Sequence, residues 1–265
     1  MRQYLLDSSF TGEQKTLILT GKESQYLTKV LRLKVGELLL GRDRTGKPWL
    51  LTLEQIGKNN CILSVSPMGE DEVEFATDVL PSYKGSYPRI FLYQCLCKGK
   101  KNETIVRQAT EIGVEEITLV QSKFCVKDYS HKKNNSLGPQ EERLDGQIKE
   151  AIQQSGSPIP THLSEEILNL ADIPRHWDNK GLFIFFHQST RAQQQSLPQL
   201  LSTIQPDTPI AMLIGSEGGL SDDECALLED SGFRSVMLKG NILRSETAAI
   251  YALSAIQVLL TETQK

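Results

Sequence analysis

The pattern of hydrophobic and polar positions changes character along the chain. Over residues 1–70 the apolar positions come in short runs: Tyr4-Leu5-Leu6, Leu17-Ile18-Leu19, Leu38-Leu39-Leu40, Trp49 to Leu53 and Cys61 to Val65. Turn-forming stretches such as Asp43-Arg44-Thr45-Gly46-Lys47-Pro48 and Gly57-Lys58-Asn59-Asn60 separate them. Short strands at this spacing predict a small β-barrel. Between them, Glu23 to Glu37 has helical spacing. Leu27, Val30 and Leu31 fall on one face, which would display Lys29 and Arg32 on another. An arginine fork can hold two phosphate oxygens, so Arg32 is the candidate phosphate contact here.

Residues 71–88 are acidic and rich in chain breakers, and mark a linker between a domain over 1–70 and another over 89–265. From Arg89 strands and helices alternate. Ile90 to Cys97 reads as a buried strand with Lys98-Gly99-Lys100-Lys101-Asn102 at its carboxyl end. A helix from Glu103 buries Ile105, Val106, Ala109 and Ile112 and stops at Gly113, and Ile117 to Val120 is the next strand. His131 to Asn135 reads as a loop, Arg143 to Gln154 as a helix, and Gly181 to His187 as a strand buried on both faces. His187 at its end reads as a hydrogen-bonded structural residue rather than a base. The order predicts an α/β domain with a mostly parallel sheet and helices on its faces. The last helix, Glu246 to Leu260, sets Ala249, Ala252, Leu253, Ile256 and Leu260 along one side, for packing in the core or against a second subunit.

The most informative stretch runs from the strand Pro209–Ile214 through Gly215-Ser216-Glu217-Gly218-Gly219 into a helix capped by Ser221, with Glu224 placed to complete a capping box. A loop of this kind at the carboxyl end of a sheet strand either holds a small molecule or is a tight turn whose glycines serve geometry alone. The helix opens on Asp222-Asp223-Glu224, which neutralises the end that would otherwise attract phosphate, and no lysine follows as in a P-loop. The loop therefore suits a neutral or cationic ligand, such as an adenosine attached to a sulfonium.

Composition alters this picture in three places. Five cysteines, with one residue between Cys95 and Cys97, do not have zinc-site spacing and read as reduced thiols with no metal. No apolar run is long enough to span a bilayer and no signal-peptide core follows Met1, so the expected location is the cytoplasm, with no membrane partner. The net charge of −4 speaks against nucleic acid, but residues 1–70 and 80–150 each carry a mild basic excess and the acids concentrate after residue 150.

The run Gly215 to Glu224 and a second run, Leu238-Lys239-Gly240-Asn241-Ile242-Leu243-Arg244-Ser245-Glu246-Thr247-Ala248, together resemble the closing motifs of the SPOUT methyltransferases. They resemble specifically the RsmE family, which methylates N3 of a uridine in 16S ribosomal RNA. That family reads roughly G-P-E-G-G-F/L-S/T-x-x-E and then L-G-x-R-I-L-R-x-E-T-A. Ser216 stands for its proline, Lys239 for its glycine and Asn241 for the first arginine of the second motif. Tyr26 to Glu37 is similar to the signature H-L-x-x-V-L-R-L/M-x-x-G-D/E of the family's PUA-like domain. Lys98-Gly99-Lys100-Lys101, Ala109 to Val114 and Glu150 to Ser155 resemble further family segments, while Phe124, Leu144 and Ser157 replace its arginine, tryptophan and arginine.

The resemblance implies a SPOUT-like α/β knot with a deep C-terminal trefoil and an N-terminal PUA-like β-barrel domain. It implies S-adenosyl-L-methionine as cofactor, held by Ile214, Gly215, Glu217, Gly219, Leu238, Gly240, Ile242 and Leu243. Arg244 and Glu246 would be catalytic: Arg244 stabilises charge developing on the uracil, and Glu246 or Glu217 either accepts the proton or clamps the loop. Arg32, Lys98 and Lys100 would contact RNA. The implied partners are 16S ribosomal RNA or the small ribosomal subunit and a second copy of the chain. Another RNA substrate such as transfer RNA, and an inactive ribosomal RNA-binding protein, remain the alternatives.

Overall fold

The computed structural model describes residues 3–69, 87–126, 137–188, 194–205 and 207–263. Nearly all of the acidic linker and the whole His131–Asn135 loop lie outside them. The chain divides into two units, Met1–Lys84 with Ile152–Pro160, and Gly85–Ala151 with Thr161–Lys265. The return of Ile152–Pro160 to the first unit is not anticipated by a division at the linker alone.

In the first unit five strands, β1 (Gln3–Leu5), β2 (Thr16–Thr20), β3 (Leu38–Arg42), β4 (Pro48–Ile56) and β5 (Asn60–Pro67), form one sheet in the order β1-β3-β4-β5-β2. β1 runs parallel to β3 and the other pairs are antiparallel. Tyr4 from one edge strand and Leu17 and Leu19 from the other reach the same core as Leu51, Leu53 and Leu63, so the sheet curls around its apolar face. Gln3 is fully buried, and its side-chain amide donates to the carbonyls of Ile152 (2.7 Å) and Ser157 (3.1 Å), which fastens the returning segment.

Helix α1 (Gly21–Gln25) runs straight into a π-helical turn over Tyr26–Val30. This corrects one expectation. Leu27 is buried, but Val30 is 65% exposed. The wider turn, closed by Leu31 N donating to Tyr26 O at 2.9 Å, rotates Val30 off the face that three-residue spacing assigns it in an α-helix. Arg32 then adopts a left-handed conformation (φ 55°), Leu33 N bonds back to Leu27 O, and Leu33 takes the core position instead. Arg32 itself is exposed, as expected.

The second unit alternates β6 (Ile90–Cys95), α2 (Lys101–Ile112), β7 (Glu116–Gln121), α3 (Pro139–Ser155), β8 (His162–Leu163), β9 (Leu168–Asn169), α4 (Ile173–Trp177), β10 (Leu182–Phe186), α5 (Leu197–Leu201), β11 (Ile210–Ile214), α6 (Asp222–Asp230), β12 (Arg234–Val236) and α7 (Ser245–Thr263). The sheet order is β12-β10-β11-β6-β7-β8, with β9 also on β7, and every pair is parallel. Because both faces are covered, β10 and β11 read as unbroken apolar runs. One face carries Phe91, Tyr93, Phe183, Phe185 and Leu213 onto Trp177 and Phe233. On α7 the residues Ala249, Ala252, Leu253 and Ile256 are fully buried, and the helix packs on α2 and β11. The small-residue side therefore serves the core, not a subunit contact. Among the described residues no helix is long and apolar enough to cross a membrane.

Candidate functional site

The two central strands β11 and β6 end side by side, and each is followed by a loop. After Ile214 the chain makes a tight turn in which Gly219 N donates to Ser216 O at 2.9 Å. Gly219 has φ +72°, and a Cβ on Gly215 would stand 3.0 Å from the Gly219 backbone, so two stretches of backbone touch directly. Ser221 and Glu224 form the expected capping box on α6. The Glu224 carboxylate accepts from Ser221 N and from Lys123 N, both at 2.8 Å, which ties the loop after β7 to the start of α6. Phe124, in the place of the family's arginine, is 44% exposed and packs on Gly218, where a Cβ would meet the Phe124 Cβ at 2.7 Å.

A second loop runs from β12 to α7 over residues 237–244. Ser245, the first residue of α7, joins it to the first loop. Its buried hydroxyl donates to Gly215 O (2.6 Å) and accepts from Gln94 Nε2 (3.1 Å) and from the Cys97 thiol (3.2 Å). Burial pushes the Cys97 thiol up to about 11, which keeps it a donor. A single hydroxyl thus uses its one proton and both lone pairs to pin β11, β6 and α7 together.

Between the two loops and the end of β10 lies a cavity of about 460 Å³, lined by Phe186, His187, Ile214 to Leu220, Leu238, Asn241 to Ser245 and Ala248. Of the residues expected to hold a cofactor, the structure brings Ile214, Gly215, Glu217, Gly219, Leu238, Ile242 and Leu243 to this cavity. Gly240 is not in its lining; it supplies the left-handed bend (φ +117°) of the second loop. Lys239 is exposed and also outside the lining, whereas Asn241 faces the cavity. Ser216 departs from the family's proline in an informative way. It is buried in the wall, and among the described residues its Oγ has no hydrogen-bond partner. Cavity residues thus offer backbone groups and one orphaned hydroxyl, with Glu217 and Arg244 as the charged members.

Arg244 lines the cavity, is exposed, and makes no ion pair among the described residues. The two carboxylates that might have held it are taken by Lys101. Its Nζ lies 3.0 Å from Glu217 Oε1 and 3.3 Å from Glu246 Oε2, the second a charge contact rather than an aligned hydrogen bond. Glu217 Oε1 also accepts from Lys98 N at 3.1 Å. Burial pushes the Glu217 carboxyl up, but hydrogen bonds from Lys101 and from backbone outweigh it and hold the group below the usual carboxylate range. The bond to Glu217 raises the Lys101 ammonium above its ordinary value. Glu246 is therefore held at the start of α7, outside the cavity lining. Lys98 and Lys100 line a different cavity, described below, and Arg32 lies in the first unit. His187 donates its N–H to Val236 O (3.2 Å), its carbonyl accepts from Gln194, and the residue borders the cavity. The five cysteines are free thiols.

Sequence reasoning assigns no site role to Gln94, Ser216 or Ser245 and places Lys101 only within a basic loop. Gln94 carried a signal, a glutamine in an otherwise apolar strand. Ser245 carried none beyond its place between Arg244 and Glu246.

The fold and the cavity define a class of protein. A family described as RNA methyltransferase domain matches residues 85–257, and one described as RNA methyltransferase PUA domain matches residues 19–66. The chain belongs to this RNA methyltransferase family. Within it, the chain is similar to curated proteins named ribosomal RNA small subunit methyltransferase E. The protein of Rickettsia conorii is 26% identical over 255 residues, covering 96% of this chain and 94% of that protein. That of Bacillus subtilis is 25% identical, covering 92% and 90%. Among solved structures, a methyltransferase of Legionella pneumophila in complex with the cofactor SAM is 25% identical with TM-score 0.75, covering 97% of this chain and 96% of that one. A ribosomal RNA small subunit methyltransferase E of Neisseria gonorrhoeae bound to S-adenosyl methionine superimposes with TM-score 0.74 at 22% identity and shares the fold over 98% of each chain.

Proposed function

We propose that this RNA methyltransferase uses S-adenosyl-L-methionine to methylate N3 of a uridine in 16S ribosomal RNA, free or in the small ribosomal subunit. The observation that carries the proposal is the cavity enclosed by the two closing loops, with the orphaned Ser216 hydroxyl in its wall. Its residues fit such a cofactor: backbone of Ile214, Gly215, Gly219, Leu238, Ile242 and Leu243 would hold it, with Gly240 shaping the loop. The acids of Asp222-Asp223-Glu224 disfavour a polyphosphate. S-adenosylmethionine supplies a methyl on a good leaving group, so the protein's tasks are alignment of the uracil and stabilisation of the charge left when N3 loses its proton.

Arg244, with no carboxylate on it, is the group for that charge. We read Glu217 and Glu246, both on Lys101, as the clamp that holds the loops. Arg32 in the first unit and Lys98 and Lys100 in the second contact RNA phosphates. The trefoil threading of the closing loops and a cytoplasmic homodimer belong to the same reading. Tyr251 and Val258, each 54% exposed and seven residues apart on α7, offer an apolar strip for a second copy.

The test is methyl transfer from labelled S-adenosylmethionine to 16S RNA from a strain lacking the protein, followed by mapping of 3-methyluridine. Label at another base, in transfer RNA only, or nowhere would overturn the assignment.

A further inference from the structure

We propose that a second cavity, at the carboxyl end of β6, binds a nucleotide of the RNA strand next to the one that is methylated; this rests on the RNA reading above. The cavity has a volume of about 420 Å³, within the size range of small-ligand sites. Its lining includes apolar Leu96 and Val126 and the cations Lys98, Lys100 and Arg143. Val126 is 62% exposed, so its methyl groups face the opening and not the core. Among the described residues neither lysine is ion-paired, and Arg143 reaches Glu103, also in the lining, only at 3.9 Å. Three cations against one carboxylate leave a positive field directed at an anion.

The lining of the methyl-donor cavity carries one carboxylate, Glu217, and one cation, Arg244, and lacks this cationic excess. The two cavities share a wall. Lys98 lines one, and its backbone N–H is bonded to Glu217 Oε1, which lines the other. A strand whose base enters the donor cavity can therefore place a neighbouring nucleotide at this site. Lysine and arginine provide for a phosphate, and Leu96 with Val126 provides an apolar surface for a base. These are the two halves of single-stranded RNA recognition.

The experiment is fluorescence anisotropy of the full chain with a short single-stranded oligoribonucleotide over a series of salt concentrations. It compares the native chain with Lys100→Ala, Arg143→Ala and Val126→Asn, while calorimetry with S-adenosylmethionine and circular dichroism check the fold and the donor site. Each charge variant is expected to weaken binding and to lower the slope of log affinity against log salt by about 0.7 for each phosphate that is no longer neutralised. Val126→Asn is expected to weaken binding about threefold without altering the slope, since it removes apolar surface but no charge. Unchanged affinity and slope in all three variants would overturn the site, as would a native chain that binds no RNA. The readout is binding, so a chain that grips the strand through these residues yet transfers no methyl would refute the functional reading and keep the pocket.

Discussion

Ser245→Ala tests the junction on which the geometry of the donor cavity depends. The substitution deletes one buried oxygen that donates to Gly215 O at 2.6 Å and accepts from Gln94 and Cys97. Gln94 Nε2 and the Cys97 thiol both keep Cys95 O as an alternative, at 2.9 and 3.4 Å. The loss therefore falls on the Gly215 carbonyl. A buried carbonyl deprived of its donor costs about 1–3 kcal/mol. For a unit of this size each kcal/mol lowers Tm by about 2–4 °C. Because Gly215 begins the cofactor loop, affinity for S-adenosylmethionine should fall with stability. Thermal unfolding of the full chain, with and without the donor, and calorimetric titration measure both effects. A Tm within about 1 °C of the native chain, together with unaltered donor affinity, would refute the reasoning, because that range lies below the smallest cost of an orphaned carbonyl.

Three further outcomes follow from the same geometry. Arg244→Ala should cut methyl transfer at least about tenfold, roughly 1.4 kcal/mol of barrier, with donor affinity nearly unchanged in calorimetry; unchanged turnover would remove Arg244 from the mechanism. Gly218→Ala places a Cβ 2.7 Å from the Phe124 Cβ, so donor affinity and stability should fall, by about 1–3 kcal/mol for stability. Adding Phe124→Gly should recover much of the loss and Phe124→Ala little, since alanine keeps the clashing atom; the double variants are compared by denaturant unfolding. Lys101→Met tests the clamp through pH. The depressed Glu217 carboxyl contributes stability that is present above its ordinary pKa and lost as pH falls through the folded value, and the raised Lys101 contribution is lost only as pH rises through its own. Tm of Lys101→Met should therefore lie below that of the native chain through the neutral range, and the two should converge at acid pH below the folded pKa of Glu217. A constant difference down to acid pH would contradict the ion pair.

Periodicity made most of this fold legible. Strands β1 to β7, β10 and β11 fall on apolar runs bounded by turns, and α2, α3, α6 and α7 follow from spacing and caps, with Ser221 and Glu224 behaving as their types require. Val30 was not legible, because a π-helical turn changes the angle per residue without changing the composition. β8, β9 and β12 are two or three residues long, too short for any period to register. The return of Ile152–Pro160 to the first unit involves the buried Gln3 amide, a contact between residues far apart in the chain.

The candidate site divides in the same way. The glycine loop and the second closing run mark most of the cavity lining, but residues on different elements that meet there carry no local signal. Lys101 looks like one of three similar lysines until its Nζ is seen between Glu217 and Glu246. Lys239, which stands where the family has glycine, is exposed and outside the cavity lining, whereas Ser216, in the place of proline, puts a hydroxyl in its wall.

A crystal structure of the chain grown with S-adenosylmethionine bears most directly on the central claim. The account predicts the donor between Gly215–Leu220 and Leu238–Arg244, with Ser216 Oγ hydrogen-bonded to it and its methyl group open toward Arg244. A donor bound elsewhere, or that cavity filled by Lys239 or by a phosphate, would contradict it.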